Sequence, residues 1–350
     1  MDQLQLRIKE LLPAYFALVM ATGIISIATF LSGWEEVGYG LFYLNMVFLV
    51  LLLLAFGYRC LKFGNRVLED FRSYQKGPGF FTVVAALCIF GNQLVVFYRA
   101  MDWAILVLLI AALAWLVIMY GFFFNITTTQ NKKSLSEGIN GTWLVIIVAI
   151  QALSVLISFI SVDFGKNAYL FLFLALCLFL LGCIFYLYIM SLIIYRISFF
   201  SLHANELGAP YWINMGATAI TTLAGSLLIL HTEDYNFIVE LLPFLKGFTL
   251  FFWASGTWWI PLLLILGAWR HLIKKYPVPT SPEGYDPSYW GMVFPLGMYT
   301  VCTFRLSEAL NIGFLKMIPE VFIYAALFTW LAVMTGFVRQ LLATFFPKNK

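Results

Sequence analysis

The stretch Ser288–Phe304, SYWGMVFPLGMYTVCTF, carries the most chemically informative spacing in the chain. It is apolar enough to cross a membrane, yet Gly291, Pro295 and Gly297 interrupt it within two helical turns. Pro295 has no amide hydrogen, and its ring clashes with the carbonyl four residues back, so a helix here is expected to kink. A broken rung at membrane depth is tolerated where the freed backbone is buried in protein or lines a wet cavity. The bulky Phe294 stands directly at the break, which reads as the gate of a pore or transport path; core packing is the plainer alternative. At about 100° per residue, Gly291 and Phe294 share a face and Thr300 and Thr303 fall nearly opposite. Pro295 can reorient the upper half, so periodicity leaves open which face lines a path.

The other polar side chains inside the apolar runs are uncharged. They are Thr22, Ser26 and Thr29; Asn92 and Gln93; Gln151; and Asn214, Thr218, Thr221, Thr222 and Ser226. Two readings stay open: hydrogen bonds between helices, or a lining that partly replaces an anion's hydration. No Asp, Glu, Lys or Arg lies inside the alternate spans that carry these residues. Ionisable groups in a bilayer mark proton relays and ion sites, so their absence argues against a proton pump or a carboxylate-built cation path. His203, His231 and His271 sit at span ends or loops without metal-ligand spacing. The five cysteines (Cys60, Cys88, Cys177, Cys183, Cys302) form no CxxC pair. No metal, cofactor, disulfide framework or catalytic constellation is expected, and the chain does not read as an enzyme.

The elements that must position these residues are membrane helices. Of 350 residues 62% are hydrophobic and only 11% charged, against about 25% charged in a soluble domain. Apolar runs of about 20 residues match the width of a hydrocarbon core. Ten spans are expected, near 11–32, 37–58, 79–98, 103–125, 140–161, 167–195, 209–230, 244–270, 288–304 and 319–343, forming one all-α polytopic domain over 1–350. The first run is long and has no small-residue cleavage site, so it reads as a span rather than a signal peptide. With a cytoplasmic N-terminus, only Arg99, Lys166, Lys246, Arg305 and Lys316 of the 21 Lys and Arg fall outside. The acidic residues split evenly. That bias places both termini in the cytoplasm and accounts for the net charge of +4 without a nucleic-acid partner.

Short outer links favour antiparallel hairpins, five in sequence. A weak repeat opens the odd spans: PAYFALVMATG, GPGFFTVVAAL, INGTWLVIIVA, GAPYWINMGAT and DPSYWGMVFPLG. Aligned on the second aromatic, Phe16, Phe81, Trp143, Trp212 and Trp290 coincide. One residue on come Ala17, Thr82, Leu144, Ile213 and Gly291; four on come Met20, Ala85, Ile147, Gly216 and Phe294. Interfacial aromatic anchoring also explains the pattern. Spans 4 and 6 are apolar all round and suit lipid. The simplest arrangement is an inner ring of odd helices inside an outer ring of even ones. Candidate path-lining residues are then Ala17, Met20, Thr82, Ala85, Ile147, Gly216, Gly291 and Pro295. Odd helices start on the cytoplasmic side, where their free N–H groups and the basic loops favour anions.

At FALVMATGI (Phe16–Ile24), GTWWIPLLLILGAWRH (Gly256–His271) and YDPSYWGMVFPLGMYTVCTFRL (Tyr285–Leu306), the chain resembles the tellurite-resistance/dicarboxylate transporter family, which includes the plant slow anion channels. The resemblance covers nearly the whole chain. It implies five helical hairpins around a quasi-fivefold central pore, a homotrimer in the plasma membrane, and a ninth-span phenylalanine, here Phe294, occluding the pore. Some members have glycine where this chain has Ala17, which implies a slightly narrower lumen. The long phosphorylated termini of the plant channels are missing. Passive anion permeation is the first expectation. A proton-coupled malate carrier, or a sulfite or tellurite exporter, is the second.

Overall fold

The computed structural model describes residues 3–201, 203–231, 236–278 and 285–345. Among these residues the protein is all-helical, with no strand. The long helices are α1 (Ala17–Leu31), α2 (Glu35–Lys62), α3 (Phe81–Tyr98), α4 (Met101–Thr128), α5 (Val145–Ser161), α6 (Ala168–Phe199), α7 (Ile213–Leu230), α8 (Asn236–Ala268), α9 (Trp290–Ala309) and α10 (Met317–Phe345).

Among the described residues, 8 helical stretches are long and apolar enough to cross a membrane. One of them, Gly141–Phe199, contains both α5 and α6, which part at Val162–Asn167 where Gly165 takes φ 48° and ψ −117°. Glycine alone adopts such a backbone without a Cβ clash. The ninth long helix, α9, is not among the 8 stretches. Its glycines, its proline and its polar last turn dilute its hydropathy. Two further boundaries differ from expectation. α8 begins at Asn236 and carries Pro243 and Pro261 within it. α9 stays a single helix through Pro295 and runs on to Ala309, so the Arg305–Glu308 ion pair (2.8 Å) lies in its last turn. The rung that Pro295 removes is tolerated because neighbouring helices pack against that turn.

Each odd helix packs on the even helix that follows it: α1 on α2, α3 on α4, α5 on α6, α7 on α8, α9 on α10. The odd helices also contact one another in a closed circuit, α1–α3–α5–α7–α9 and back to α1. Burial separates the two sets. In their apolar windows 72%, 78% and 94% of residues are buried for α1, α3 and α7, against 22% for α2, α4 and α10. Large side chains such as Leu109, Leu113 and Val117 on α4 are exposed, as a lipid-facing surface requires.

The repeat seen in the sequence corresponds to a structural device. Every odd helix is entered through a short 3-10 turn: Pro13–Phe16, Gly77–Phe80, Gly141–Leu144, Ala209–Trp212 and Pro287–Tyr289. Four of the turns have proline at their first or second position, where its missing N–H leaves no donor unsatisfied. Two of the five turns are also capped by a side chain: Asn140 and Asp286 accept hydrogen bonds from the amides of Thr142 (2.9 Å) and Ser288 (2.8 Å). The five turns touch in the same circular order as the helices. Gly141 permits one of these contacts, because a Cβ there would lie 2.8 Å from the Tyr211 amide nitrogen. All five odd-helix N-termini therefore gather at one end of the molecule. In the aromatic alignment, α3 and α9 start on the aligned residue, whereas α5 starts two residues later at Val145, so the register of the repeat shifts along the ring.

Candidate functional site

Phe294 is 1% exposed, and its ring lies against α7. A Cβ built on Gly216 would stand 3.1 Å from Phe294 Cε1 and 3.0 Å from Pro295 Cγ. Gly216 is thus the space into which ring and proline pack. On the same side, Gly291 faces Ile213 at the start of α7. Gly297 faces α1 instead, where a Cβ would come within 2.9 Å of both Ile24 Cγ2 and Ile25 Cγ1. The remaining side belongs to α8: Tyr299 Oη pairs with Thr257 Oγ1 (2.8 Å), and Thr303 Oγ1 accepts from Trp253 Nε1 (3.0 Å). Thr300 donates to the Leu296 carbonyl of its own helix (3.0 Å). Thr303 thus turns to an even helix, away from Phe294.

The uncharged polar residues of the odd helices are committed in the same way. Gln93 accepts from Asn45 Nδ2 on α2 (2.7 Å) and donates to Ser26 on α1 (2.6 Å). Gln151 donates to the Phe179 carbonyl of α6 (3.0 Å), and Ser154 to that of Ala175 (2.7 Å). Asn214 accepts from Tyr186 on α6 (3.0 Å), and Thr22 accepts from Trp330 Nε1 on α10 (3.1 Å). Thr218, Thr221, Thr222 and Ser226 donate to carbonyls one turn back. Hydrogen bonding within and between helices engages each of these side chains, while Asn92 Oδ1, Gln151 Oε1 and Asn214 Nδ2 are buried without a partner among the described residues.

Among the other candidates, Met20, Ala85 and Ile147 are at most 3% exposed, while Ala17, nearer the gathered N-termini, is half-buried. Thr82 is tied to the seam between α1 and α3, donating to the carbonyls of Pro13 (2.7 Å) and Gly79 (2.6 Å). The structure brings Gly216, Phe294 and Pro295 into direct contact, with Gly291 one turn earlier on the same seam.

Sequence reasoning missed three buried arginines at the ends of even helices. Arg59, Arg196 and Arg270 are 1%, 6% and 7% exposed. Arg59 donates to the Lys9 carbonyl (2.9 Å) and pairs with Asp70 (2.5 Å), which Lys76 also contacts (2.9 Å). Burial alone would raise the Asp70 pKa, but hydrogen bonds and charge from Arg59 and Lys76 prevail and hold it below the usual carboxylate range. Arg196 donates to the Ser136 carbonyl (2.9 Å) and the Tyr211 hydroxyl, and pairs with Glu206 (3.3 Å). Arg270 donates to the Leu207 carbonyl (2.6 Å), and its guanidinium lies over the Tyr276 ring at 4.6 Å. Each arginine thus clamps the end of an even helix to a segment leading into the 3-10 ring. The available signal was an aromatic–Arg pair closing spans 2, 6 and 8: Tyr58–Arg59, Tyr195–Arg196 and Trp269–Arg270.

A family model described as SLAC1, voltage-dependent anion channel, matches residues 10–338. The chain belongs to the SLAC1 family. This is the tellurite-resistance/dicarboxylate transporter family that the motifs indicated, and it makes the chain a membrane protein of a transporter and channel class. Two uncharacterized transporters of Methanocaldococcus jannaschii align over most of the chain. One is 23% identical over 349 residues, covering 92% of this chain and 91% of its own length. The other is 22% identical over 378 residues, covering 99% of each. An uncharacterized membrane protein of Mycobacterium tuberculosis is 33% identical over 159 residues, covering 45% of this chain and 78% of its own. The SLAC1-family match fits a helical membrane protein whose inner helices hold no Asp, Glu, Lys, Arg or His before Arg305 in α9.

Proposed function

We propose that this SLAC1-family member conducts small anions passively through a central path enclosed by α1, α3, α5, α7 and α9, with Phe294 as the gate. The observation that carries the reading is the closed circuit of odd-helix contacts, which gathers five N-termini at one end. Partial positive charge at those N-termini attracts anions without a fixed ionic group in the bilayer. At about 100° per residue, Phe294, Met298 and Val301 fall between the α7-facing residues Gly291 and Pro295 and the α1-facing Gly297, and all three are nearly inaccessible. Ala17, Gly291, Met20, Ala85, Ile147 and Gly216 make up the rest of the lining in this reading. Ten membrane crossings as five hairpins, cytoplasmic termini, a plasma-membrane location and a homotrimer complete it. The Lys/Arg bias supports the orientation, and the family supports the assembly.

A proton-coupled dicarboxylate carrier needs either a titratable relay or a substrate that carries its own proton. The inner helices supply no relay before Arg305 and Glu308, so the passive reading is preferred. Reconstitution into liposomes with a panel of chloride, nitrate, sulfite and malate, with and without a pH gradient, tests the proposal. Anion flux that is indifferent to the gradient supports it. Flux of malate or sulfite strictly dependent on the gradient replaces it with the carrier, and absence of any anion flux refutes both.

A further inference from the structure

Arg270 differs from its two counterparts. Arg59 and Arg196 are each paired with a carboxylate, whereas among the described residues no carboxylate pairs with Arg270, and its Nε has no hydrogen-bond partner. It lines a cavity of about 320 Å³ beside the 3-10 turns before α5, α7 and α9, together with Asn140, Glu206, Tyr276, Asp286 and Ser288. The two carboxylates there are not equivalent. Glu206 is engaged by Arg196 and by the His203 amide (3.0 Å). The Asp286 side chain accepts from the Ser288 amide (2.8 Å), and no cationic side chain among the described residues pairs with it. One cavity therefore holds a buried cation and a carboxylate that do not neutralise each other.

A second cavity of about 370 Å³ adjoins the first and shares Arg270, Gly208, Ala209, Tyr211 and Tyr289 with it. Its other walls are mostly apolar, among them Trp212, Leu263, Leu264, Leu266, Val278 and Met292. Leu264 and Val278 are 58% and 70% exposed, so this chamber opens on the outer, lipid-facing surface of α8. An apolar chamber open to the bilayer thus leads to a polar chamber with separated opposite charges.

We infer that the paired cavities form a binding site for a phospholipid with a primary-amine, ethanolamine-type headgroup. The phosphate sits against the Arg270 guanidinium, the ammonium is taken up on the Asp286 side, and an acyl chain fills the apolar chamber. A buried guanidinium with an unsatisfied donor is costly alone and is stabilised by a phosphate oxygen. A purely anionic headgroup would satisfy Arg270 but would bring a second negative charge against Asp286. The site lies where α8 meets the turns before α7 and α9, so its occupancy would stabilise that corner of the ring. The inference concerns lipid binding and stands apart from the anion-flux reading.

The test uses the full chain purified in detergent, with thermal unfolding followed as phosphatidylethanolamine, phosphatidylglycerol or phosphatidylcholine of one acyl composition is added. Phosphatidylethanolamine is expected to stabilise at roughly tenfold lower concentration than the other two, the worth of one charge-assisted hydrogen bond. Arg270→Gln should abolish that response. Because Arg270 also holds the Leu207 carbonyl, a second variant keeps the test decisive. Asp286→Asn retains an oxygen to accept the Ser288 amide while removing the charge, and should lose the preference for phosphatidylethanolamine over phosphatidylglycerol. Equal responses to all three lipids would mean that acyl chains or a second copy fill the chamber, and would overturn the inference. So would tighter phosphatidylglycerol binding, or an Asp286→Asn protein with its preference intact. Because the readout is stability, failure here leaves the flux measurement untouched, and the reverse also holds.

Discussion

Phe294→Ala is expected to open the path. The ring is 1% exposed and packs against the Gly216 backbone and Pro295, so as the proposed gate it would clear the path only by leaving its rotamer and displacing neighbours. An off-rotamer side chain costs about 0.5–1.5 kcal/mol, and intruding on a packed neighbour about 1–3 kcal/mol. Together these give a barrier contribution of roughly 1.5–4.5 kcal/mol, or about 10- to 2000-fold in rate. Truncation replaces the ring by a void on the order of 150 Å³, which removes the steric block from the path. The assay is anion current in oocytes or planar bilayers, with surface abundance measured in parallel. Core truncation of Phe costs about 3–5 kcal/mol of stability, so monodispersity of the purified variant must be checked as well. A folded, surface-expressed Phe294→Ala protein with unchanged current would refute the reasoning.

Gly216→Ala places a methyl 3.1 Å from the Phe294 ring and 3.0 Å from Pro295. It should alter current in the single variant but have far less effect in the Phe294→Ala background, a non-additivity that a double-mutant cycle measures. Gln93→Leu breaks the Asn45–Gln93–Ser26 chain; it should lower thermal stability by about 1–2 kcal/mol and leave anion selectivity unchanged, because those groups join helices rather than line a path. Asp70→Asn removes the carboxylate from buried Arg59 and should cost about 3–5 kcal/mol, read by thermal unfolding. Since Asp70 binds its proton less readily folded than unfolded, its contribution is complete above the unfolded-state pKa and is lost as pH falls through the lower folded value. An acid titration of unfolding should accordingly show a smaller loss of stability below about pH 5 in Asp70→Asn than in the native chain.

Much of the fold was legible because a bilayer imposes simple rules. Backbone groups must be satisfied within each segment, so long apolar runs are helices, and α1, α3, α4, α7 and α10 lie close to where hydropathy placed them. The division into buried odd and exposed even helices was readable as well, since lipid-facing helices are apolar all round. The ninth span, expected at 288–304, is a helix, but over its full length α9 is too polar to count among the apolar stretches, and α8 reaches back to Asn236 rather than 244.

By itself the sequence determined the helical membrane class, the family, and the absence of charge inside the odd spans. Those properties follow from local composition and motif identity and do not depend on which helix meets which. Only the tertiary structure decided that the odd-helix N-termini meet through five 3-10 turns. The same holds for Thr303 facing Trp253, for Gly216 receiving the Phe294 ring, and for Arg270 having no carboxylate partner among the described residues when Arg59 and Arg196 have one. Each of these depends on the rotation of one helix about its axis against its neighbours. A run of uniformly apolar residues leaves that rotation undetermined until side chains from distant parts of the chain pack together.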